Sequence, residues 1–484
     1  MEDRGWKIER ANRRMEDREA DYRAGFDDLR QETHVEDLRV DGELPPWLSG
    51  TLLRNGPAQF EVDGDAYNHW FDGHAMLHAF HVQDGRVSYR NRFLDTRSRR
   101  DALEQSEIAH AEFATDPCRS IFGRVMSIFN PTLTDNASIN VDRLAGQAVA
   151  LTETPMPVAF DPETLETAGV ADYTDDLDAP ITTAHPHTEV GTGRTLTYLT
   201  DLGRQSTYHL CAIEPGTRHR DVLTSLDVDT PSYMHSFGMT EHYAILSEWP
   251  LVVNPLDILL SGKPFIENFE WMPERGVRFR ILRLNDGTEV ATVTADAAFA
   301  FHHVNAYEVG NEIVCDVAAY PDAQIIDDLY LDRLRAPDQH PTQAHLHRYR
   351  LPLSGRPARS APIAPDTSIE LPRLRSDREG RRYTTVYGIG TRHADGFSDQ
   401  LVKMNVNTGA VNTWHQKGLY PGEPVFVPRP DTTGEDEGVI LSVVLDARND
   451  TSLLLALDAA SFTEIARARV PHAIPFGFHG QFFE

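Results

Sequence analysis

Four of the chain's 21 histidines sit where polar side chains are rare: in AHPH (His185), YMHSF (His235), FAFHHVNAYE (His302 or His303) and GFHG (His479). Apolar, strand-like text flanks each one. By contrast, His209, His219, His340, His345, His347, His393 and His415 have the polar neighbours of surface residues. A lone buried histidine is usually a satisfied core residue. Four of them, with no cysteine partners, suit a borderline transition metal. Zinc takes three histidines and a water, or a closed set of four ligands. In an octahedral Fe(II) site, four histidines leave two positions open for oxygen or substrate. A ligating ring also needs its second nitrogen satisfied, often by a carboxylate. Glu153 (ALTETP), Glu370 (IELP) and Glu423 (PGEPVF) are acidic residues set in apolar text. Singly, each reads as a strand-edge surface residue. Beside a four-histidine site they become its hydrogen-bond partners.

Something must bring these residues together across intervals of 50, 67 and 177 residues. The chain from about Glu36 consists of short apolar runs broken by turn dipeptides: VSYRNRFL, AVALTE, TLTYLT, HYAILSEW, FRILRL, EIVCDVAAY, GVILSVVL and SLLLALD. These are the lengths and compositions of strands. CRSIFGRVMSIF (118–129) and NPLDILL are the best helical segments. Many strands without α/β alternation predict a closed all-β architecture, and a β-propeller protects its strand edges by radial repetition. Blades run to roughly 40–50 residues, so the first two histidine intervals are about one blade each. Inner strands of successive blades face one axis, where residues distant in sequence converge. Neighbouring strand residues point to opposite faces, so only one of His302 and His303 points inward. Residues 1–33 are densely charged and read as a solvated extension, with a single domain over 34–484.

Composition narrows the function. The net charge of −28 disfavours nucleic acid, because phosphate contacts need a basic face. Only four of the 46 basic residues are lysines (Lys7, Lys263, Lys403, Lys417); the rest are arginine. Acidity with scarce lysine is expected of a salt-adapted cytoplasm. No run of roughly 18 apolar residues spans a membrane, and the charged N-terminus lacks the apolar core of a signal peptide. A cytoplasmic location is expected. Cys118, Cys211 and Cys315 form neither a disulfide framework nor a C-x-x-C knuckle.

The last ten residues, PFGFHGQFFE, pose a question of their own. Chain ends fray unless tied down, yet this one carries four phenylalanines and His479.

Taken together, these motifs are recognisable. GTLLRNGPAQF and HWFDGHAMLHAFHVQDGRVSYRNRFLDT, then TAHPH, YMHSFGMTEHY, FHHVNAYE and PFGFHGQF, with ALTE, IELPR and YPGEPVFVP, resemble the carotenoid cleavage oxygenases from about residue 40 to 484. The resemblance implies a seven-bladed β-propeller, capped by loops and helices over an axial site, with one Fe(II) per subunit. Its ligands would be His185, His235, His302 and His479, with Glu153, Glu370 and Glu423 behind three of them. The tail would then be fixed by coordination and by burial of its phenylalanines. Phe301, Phe476 and Phe478 read as core packing first and as cavity lining second.

HSFGMTEHY and DPCRSIFGRVMSIF look closest to the animal-type branch, which holds carotene oxygenases and the retinoid isomerohydrolase. In that branch the second stretch touches membrane. Ile121, Phe122, Val125, Met126, Ile128 and Phe129 would supply the apolar face here, with Arg119 and Arg124 at its rim; WPLVVNPLDILL is a second candidate patch. Two departures stand out: His74 in FDGHAML, and Ile139 in TDNASINV, where many relatives place a threonine near the iron. An apolar residue there also resembles the isomerase branch. The implied reaction is O2-dependent scission of a conjugated C=C bond of a carotenoid, symmetric 15,15′ cleavage of β-carotene to retinal first. Eccentric, apocarotenoid or stilbene cleavage, isomerohydrolase chemistry and a non-catalytic carotenoid-binding propeller are the alternatives.

Overall fold

The structure, a computed structural model, describes residues 21–116, 133–337, 340–393 and 396–484. The segment 118–129, expected to be helical and to meet a membrane, lies outside the described residues.

Seven antiparallel sheets of four to six strands follow one another along the chain. Their cores span 50–93, 140–170, 181–228, 238–295, 303–362, 370–414 and 419–470. This is a seven-bladed β-propeller. First strands of neighbouring blades touch: 238–239 meets 303–309, 303–309 meets 370–373, and 140–144 meets 50–59. The eight runs expected as strands are strands, within a residue or two at their ends, and NPLDILL forms the helix Pro255–Leu260. Asn254 caps that helix by accepting the Leu256 N–H at 3.2 Å, and Pro255 takes the first helical position. No described helix is long and apolar enough to cross a membrane.

Burial explains the strand texture. Gly50–Gln59 is buried at nine of its ten positions, so it reads as a continuous run. Arg86–Phe93, farther out in the same blade, alternates: Val87, Tyr89, Asn91 and Phe93 point in. Asp84 and Gly85, both at positive φ (51° and 75°), make the two-residue turn joining it to His74–Gln83.

The ring closes at both chain ends. The C-terminal strand Gly480–Phe483 adds to Gly50–Gln59 of the first blade, with Gly480 opposite Arg54. Near the N-terminus, Val40–Gly42 adds to the outer edge of the last blade against Thr463–Val470. The tail crosses the first strand backbone to backbone: a Cβ on Gly56 would lie 2.4 Å from the Gly477 Cα. That approach explains the first glycine of GFHG.

One boundary expectation is corrected. Residues 22–29 belong to the propeller's packing rather than to a solvated arm. Tyr22–Phe26 forms a 3-10 turn capped by Asp21, and Phe26 is fully buried. Its ring meets Trp70, Phe397 and Phe476 edge-on at 5.3–5.5 Å, and Gly25 O accepts the Phe476 N–H at 2.8 Å. Charge dominates this stretch, so one buried aromatic among acidic and basic neighbours gave no periodic signal. Phe26→Ala should lower unfolding free energy by about 3–5 kcal/mol in denaturant titration. A loss below about 1 kcal/mol would mean the segment is not part of the core.

Candidate metal centre

The four histidines lie at the same end of four blades. His185 occupies the link between Ile181–Thr182 and His187–Thr188, His235 precedes Gly238–Met239, His302 precedes His303–Val309, and His479 precedes Gly480–Phe483. A chain entering its innermost strand there is aimed at the axis. The four ligating atoms fall within 4.8 Å of one another, and three of the four residues are buried. His185 Nε2 lies 2.9 Å from His235 Nε2, and His302 Nε2 lies 3.2 Å from His479 Nε2. His303 turns the other way, between Ser236 Oγ (2.9 Å) and Ser247 Oγ (2.7 Å). Alternation along the strand assigns the inward position to His302.

Three rings are oriented from behind by carboxylates. His235 Nδ1–H donates to Glu153 at 2.6 Å, His302 Nδ1–H to Glu370 at 2.6 Å, and His479 Nδ1–H to Glu423 at 2.7 Å. Among the described residues, His185 has no carboxylate partner. It is carried instead by its backbone, whose N–H donates to Thr183 Oγ1 at 2.9 Å, while Thr183 in turn donates to His235 O at 2.7 Å.

This arrangement calls for a cation. With both Nδ1 protons committed to carboxylates, His302 and His479 present bare Nε2 lone pairs to each other at 3.2 Å. Burial pushes the His479 imidazole down to about 3 and the His185 imidazole well below its ordinary value, with the neighbouring histidines adding to the second effect. Both rings are therefore neutral near pH 7. Metal–imidazole bonds of about 2.1 Å at right angles would place neighbouring nitrogens about 3.0 Å apart, which matches the observed pairs. The all-nitrogen donor set suits iron, zinc, copper or nickel more than calcium or magnesium.

Several residues of the site were passed over in the sequence. Tyr233 donates to both Glu153 oxygens at 3.0 and 3.2 Å, and Tyr320 donates to Glu370 at 3.0 Å. Tyr233 stands two residues before His235, and Tyr320 ends EIVCDVAAY, so both looked like core aromatics. Arg54 and Arg373 both bond Glu423. Arg54 was the most legible of these, as the one charged residue within a buried strand. Burial works against the Glu423 carboxylate, but Arg373, His479 and Arg54 hold its pKa well below the usual range. Burial likewise opposes Glu370, and the His302 partner with the Leu371 N–H and Tyr320 O–H brings its pKa below normal.

A cavity of about 850 Å³ opens onto His235, His302 and His479, walled by Phe71, Phe113, Ile139, Phe301, Tyr320 and Phe478. Phe301 and Phe478 thus line it, while Phe476 packs against Phe26 and Phe397 instead. Ile139 meets the site through its backbone as well, its carbonyl accepting the His479 N–H at 3.2 Å. Glu370→Gln, which keeps size and removes charge, should weaken metal binding by about 10–100-fold. Removing residues 479–484 should abolish it. Metal titration followed by elemental analysis reads both, and stoichiometric metal in the truncated protein would refute the assignment.

The chain matches known proteins over almost its whole length. A family model described as retinal pigment epithelial membrane protein covers residues 26–484. The human mitochondrial carotenoid-cleaving dioxygenase is 33% identical, over 92% of this chain and 87% of its own. A chloroplastic carotenoid cleavage dioxygenase 8 homolog of Oryza sativa subsp. japonica is 36% identical (93% and 86%), and the β,β-carotene 15,15′-dioxygenase of Gallus gallus 33% (93% and 96%). Among solved structures, a cobalt-substituted Synechocystis oxygenase superposes with a TM-score of 0.85 at 26% identity, over 96% of this chain and 98% of that one. An apocarotenoid oxygenase mutant from Synechocystis gives 0.85 at 25% (97% and 100%). Matching motifs, matching fold and full-length likeness agree, and the chain belongs to the family of the retinal pigment epithelial membrane protein and the carotenoid cleavage oxygenases.

Proposed function

We propose that this protein is a non-haem Fe(II) dioxygenase, with one iron per subunit, that cleaves a conjugated C=C bond of a carotenoid with O2. Symmetric 15,15′ cleavage of β-carotene to two molecules of retinal is the reading we favour for its substrate. The observation that carries the proposal is the meeting of two features: four imidazoles whose ring nitrogens converge, and a large apolar cavity that opens onto three of them.

His185, His235, His302 and His479 would hold the iron, and Glu153, Glu370 and Glu423 keep three of those rings in the right tautomer and orientation. The chemistry that Fe(II) supplies when bound is activation of O2. Overall, one C=C bond and one O2 become two carbonyl groups, with no net gain or loss of a proton. A general acid or base is therefore not needed, which fits a cavity wall whose carboxylates beside the histidines are already committed to them. Phe71, Phe113, Phe301 and Phe478 instead exclude water and hold a flat polyene by dispersion and ring contacts.

Supply of so apolar a substrate favours contact with a lipid surface. Leu256, Ile258 and Leu259 on the helix Pro255–Leu260 line the cavity's edge. Leu256, Leu259 and Leu260 are also 57, 46 and 73% exposed, the largest such group among the described residues. Such a patch at a cavity mouth suits shallow insertion into a bilayer. We take the protein to be cytoplasmic and peripheral, and its acidic, lysine-poor composition to reflect a salt-rich interior.

A second reading rests on Ile139. An apolar side chain beside the metal ligands leaves no hydroxyl to bond oxygen there, which favours retinoid isomerohydrolase chemistry. Incubation of iron-loaded enzyme with β-carotene in detergent and molar KCl under 18O2, with mass spectrometry of products, separates the readings. Singly labelled retinal alone is the expected result. Labelled unequal apocarotenals would move the scissile bond; no product from β-carotene, with isomerised retinol and free fatty acid formed from a retinyl ester and water in a parallel incubation without oxygen consumption, would replace the dioxygenase reading. Vesicle flotation tests the docking helix: replacing Leu256, Leu259 and Leu260 by serine should reduce flotation with neutral lipid at least about tenfold. Unchanged flotation would remove this helix from the contact.

A further inference from the structure

His479 stands directly before the strand Gly480–Phe483, which pairs with Gly50–Gln59 of the first blade. All six backbone polar groups of Phe478–Gly480 are paired. Phe478 N–H donates to Asn55 O at 3.0 Å, and Phe478 O accepts from Arg54 Nη2 at 2.9 Å. His479 N–H donates to Ile139 O at 3.2 Å, and His479 O accepts the Asn55 N–H at 2.9 Å. Gly480 N–H donates to Glu423 at 2.9 Å, and Gly480 O accepts from Arg373 Nη2.

Two arginines recur in these bonds. Arg54, from the first blade, donates through Nη1 to Glu423 and through Nη2 to the carbonyl before His479. Arg373, from the sixth blade, donates through Nε to Glu423 at 2.8 Å and through Nη2 to the carbonyl after it. Glu423 arrives from the seventh blade and is 1% exposed. Charge-assisted bonds of this kind are the stronger class, and a planar guanidinium holds two acceptors in fixed relation. The other two carboxylates lack this device: Glu153 and Glu370 are each supported by a neutral tyrosine hydroxyl.

We infer that Arg54 and Arg373 are positioning residues for the C-terminal ligand. Together they fix the Glu423 carboxylate and both carbonyls that flank His479, so this ligand is in place before any metal arrives. Metal binding then meets a preformed site, unlike small domains in which binding and folding are one event. This rests on the four-histidine metal site and not on the identity of the substrate.

Hydrogen–deuterium exchange on the full-length protein tests it, with mass readout of the peptide covering 474–484. In chelator-treated wild type, the His479 and Gly480 amides should stay protected, close to their protection after Fe(II) or Co(II) loading. Exchange at the rate of an unstructured segment in the metal-free protein would overturn the inference, and that measurement needs no variant. Arg373→Gln should speed tail exchange in the metal-free protein and accelerate metal release to a chelator, each by about 10–100-fold. Arg348→Gln is the control: it breaks a comparably buried pair with Asp316 elsewhere in the ring. It should lower the melting temperature without moving tail exchange or metal release. Wild-type tail exchange and release rates in Arg373→Gln would also overturn the inference. Failure of wild type to bind metal would refute the metal site itself, while tail protection would still report on the clamp.

Discussion

Unshielded lone pairs on neighbouring imidazoles repel, and here nitrogens of four imidazoles converge within 4.8 Å, three of them in rings whose other nitrogen is held by a carboxylate. The protein must hold that arrangement against its own electrostatics until a cation resolves it. Each device around the site serves this end. Carboxylates at 2.6–2.7 Å take the Nδ1 proton of three rings, which forces the lone pair onto Nε2 and aims it at the axis. Burial keeps His185 and His479 from relieving the repulsion by protonation. The remaining freedom, rotation or retreat of a ring, is removed by the blades themselves, because each ligand adjoins the innermost strand of a different sheet.

That requirement makes ring closure a matter of function as well as of stability. A propeller whose first and last blades separated would lose His479 from the set. Closure at two edges, by Gly480–Phe483 inside and Val40–Gly42 outside, ties the termini to opposite sides of the same junction. Phe26 and Phe476 pack together close by, with Trp70 Nε1–H donating to the Phe476 carbonyl at 3.0 Å. The apolar tail is thus held mainly by strand pairing, aromatic burial and arginine contacts. Coordination adds to a segment that is already fixed.

How far the sequence disclosed this differs by residue. Strands announced themselves through run length and turn dipeptides, since those properties are local. The four histidines were legible because a polar residue in apolar text is costly unless it is used, and the three glutamates followed by the same reasoning. Blade number, by contrast, came through family likeness, because insertions such as 251–271 in the fourth blade blur any repeat. Tyr233, Tyr320 and Arg373 escaped notice for a related reason. Their roles depend on partners 50 or more residues away, and aromatic or edge-strand positions are ordinary places for such side chains. Phe26 was hidden by its charged neighbours, where only a tertiary contact distinguishes a core residue from a solvated one.

Buried charge of the Arg54–Glu423–Arg373 kind is not explained by stability. Desolvating three charged groups costs several kcal/mol each, and well-packed apolar replacements are often as stable or more so. What apolar side chains lack is direction. They cannot fix the tautomer of His479, nor accept the Gly480 N–H and bind two carbonyls at once. Tyrosine hydroxyls are the support behind Glu153 and Glu370. At His479 the support converges from the first, sixth and seventh blades through Arg54, Arg373 and Glu423. The heavier polar investment thus falls on one of the four histidines, and this unequal distribution distinguishes a ligand-positioning network from a generic buried salt bridge.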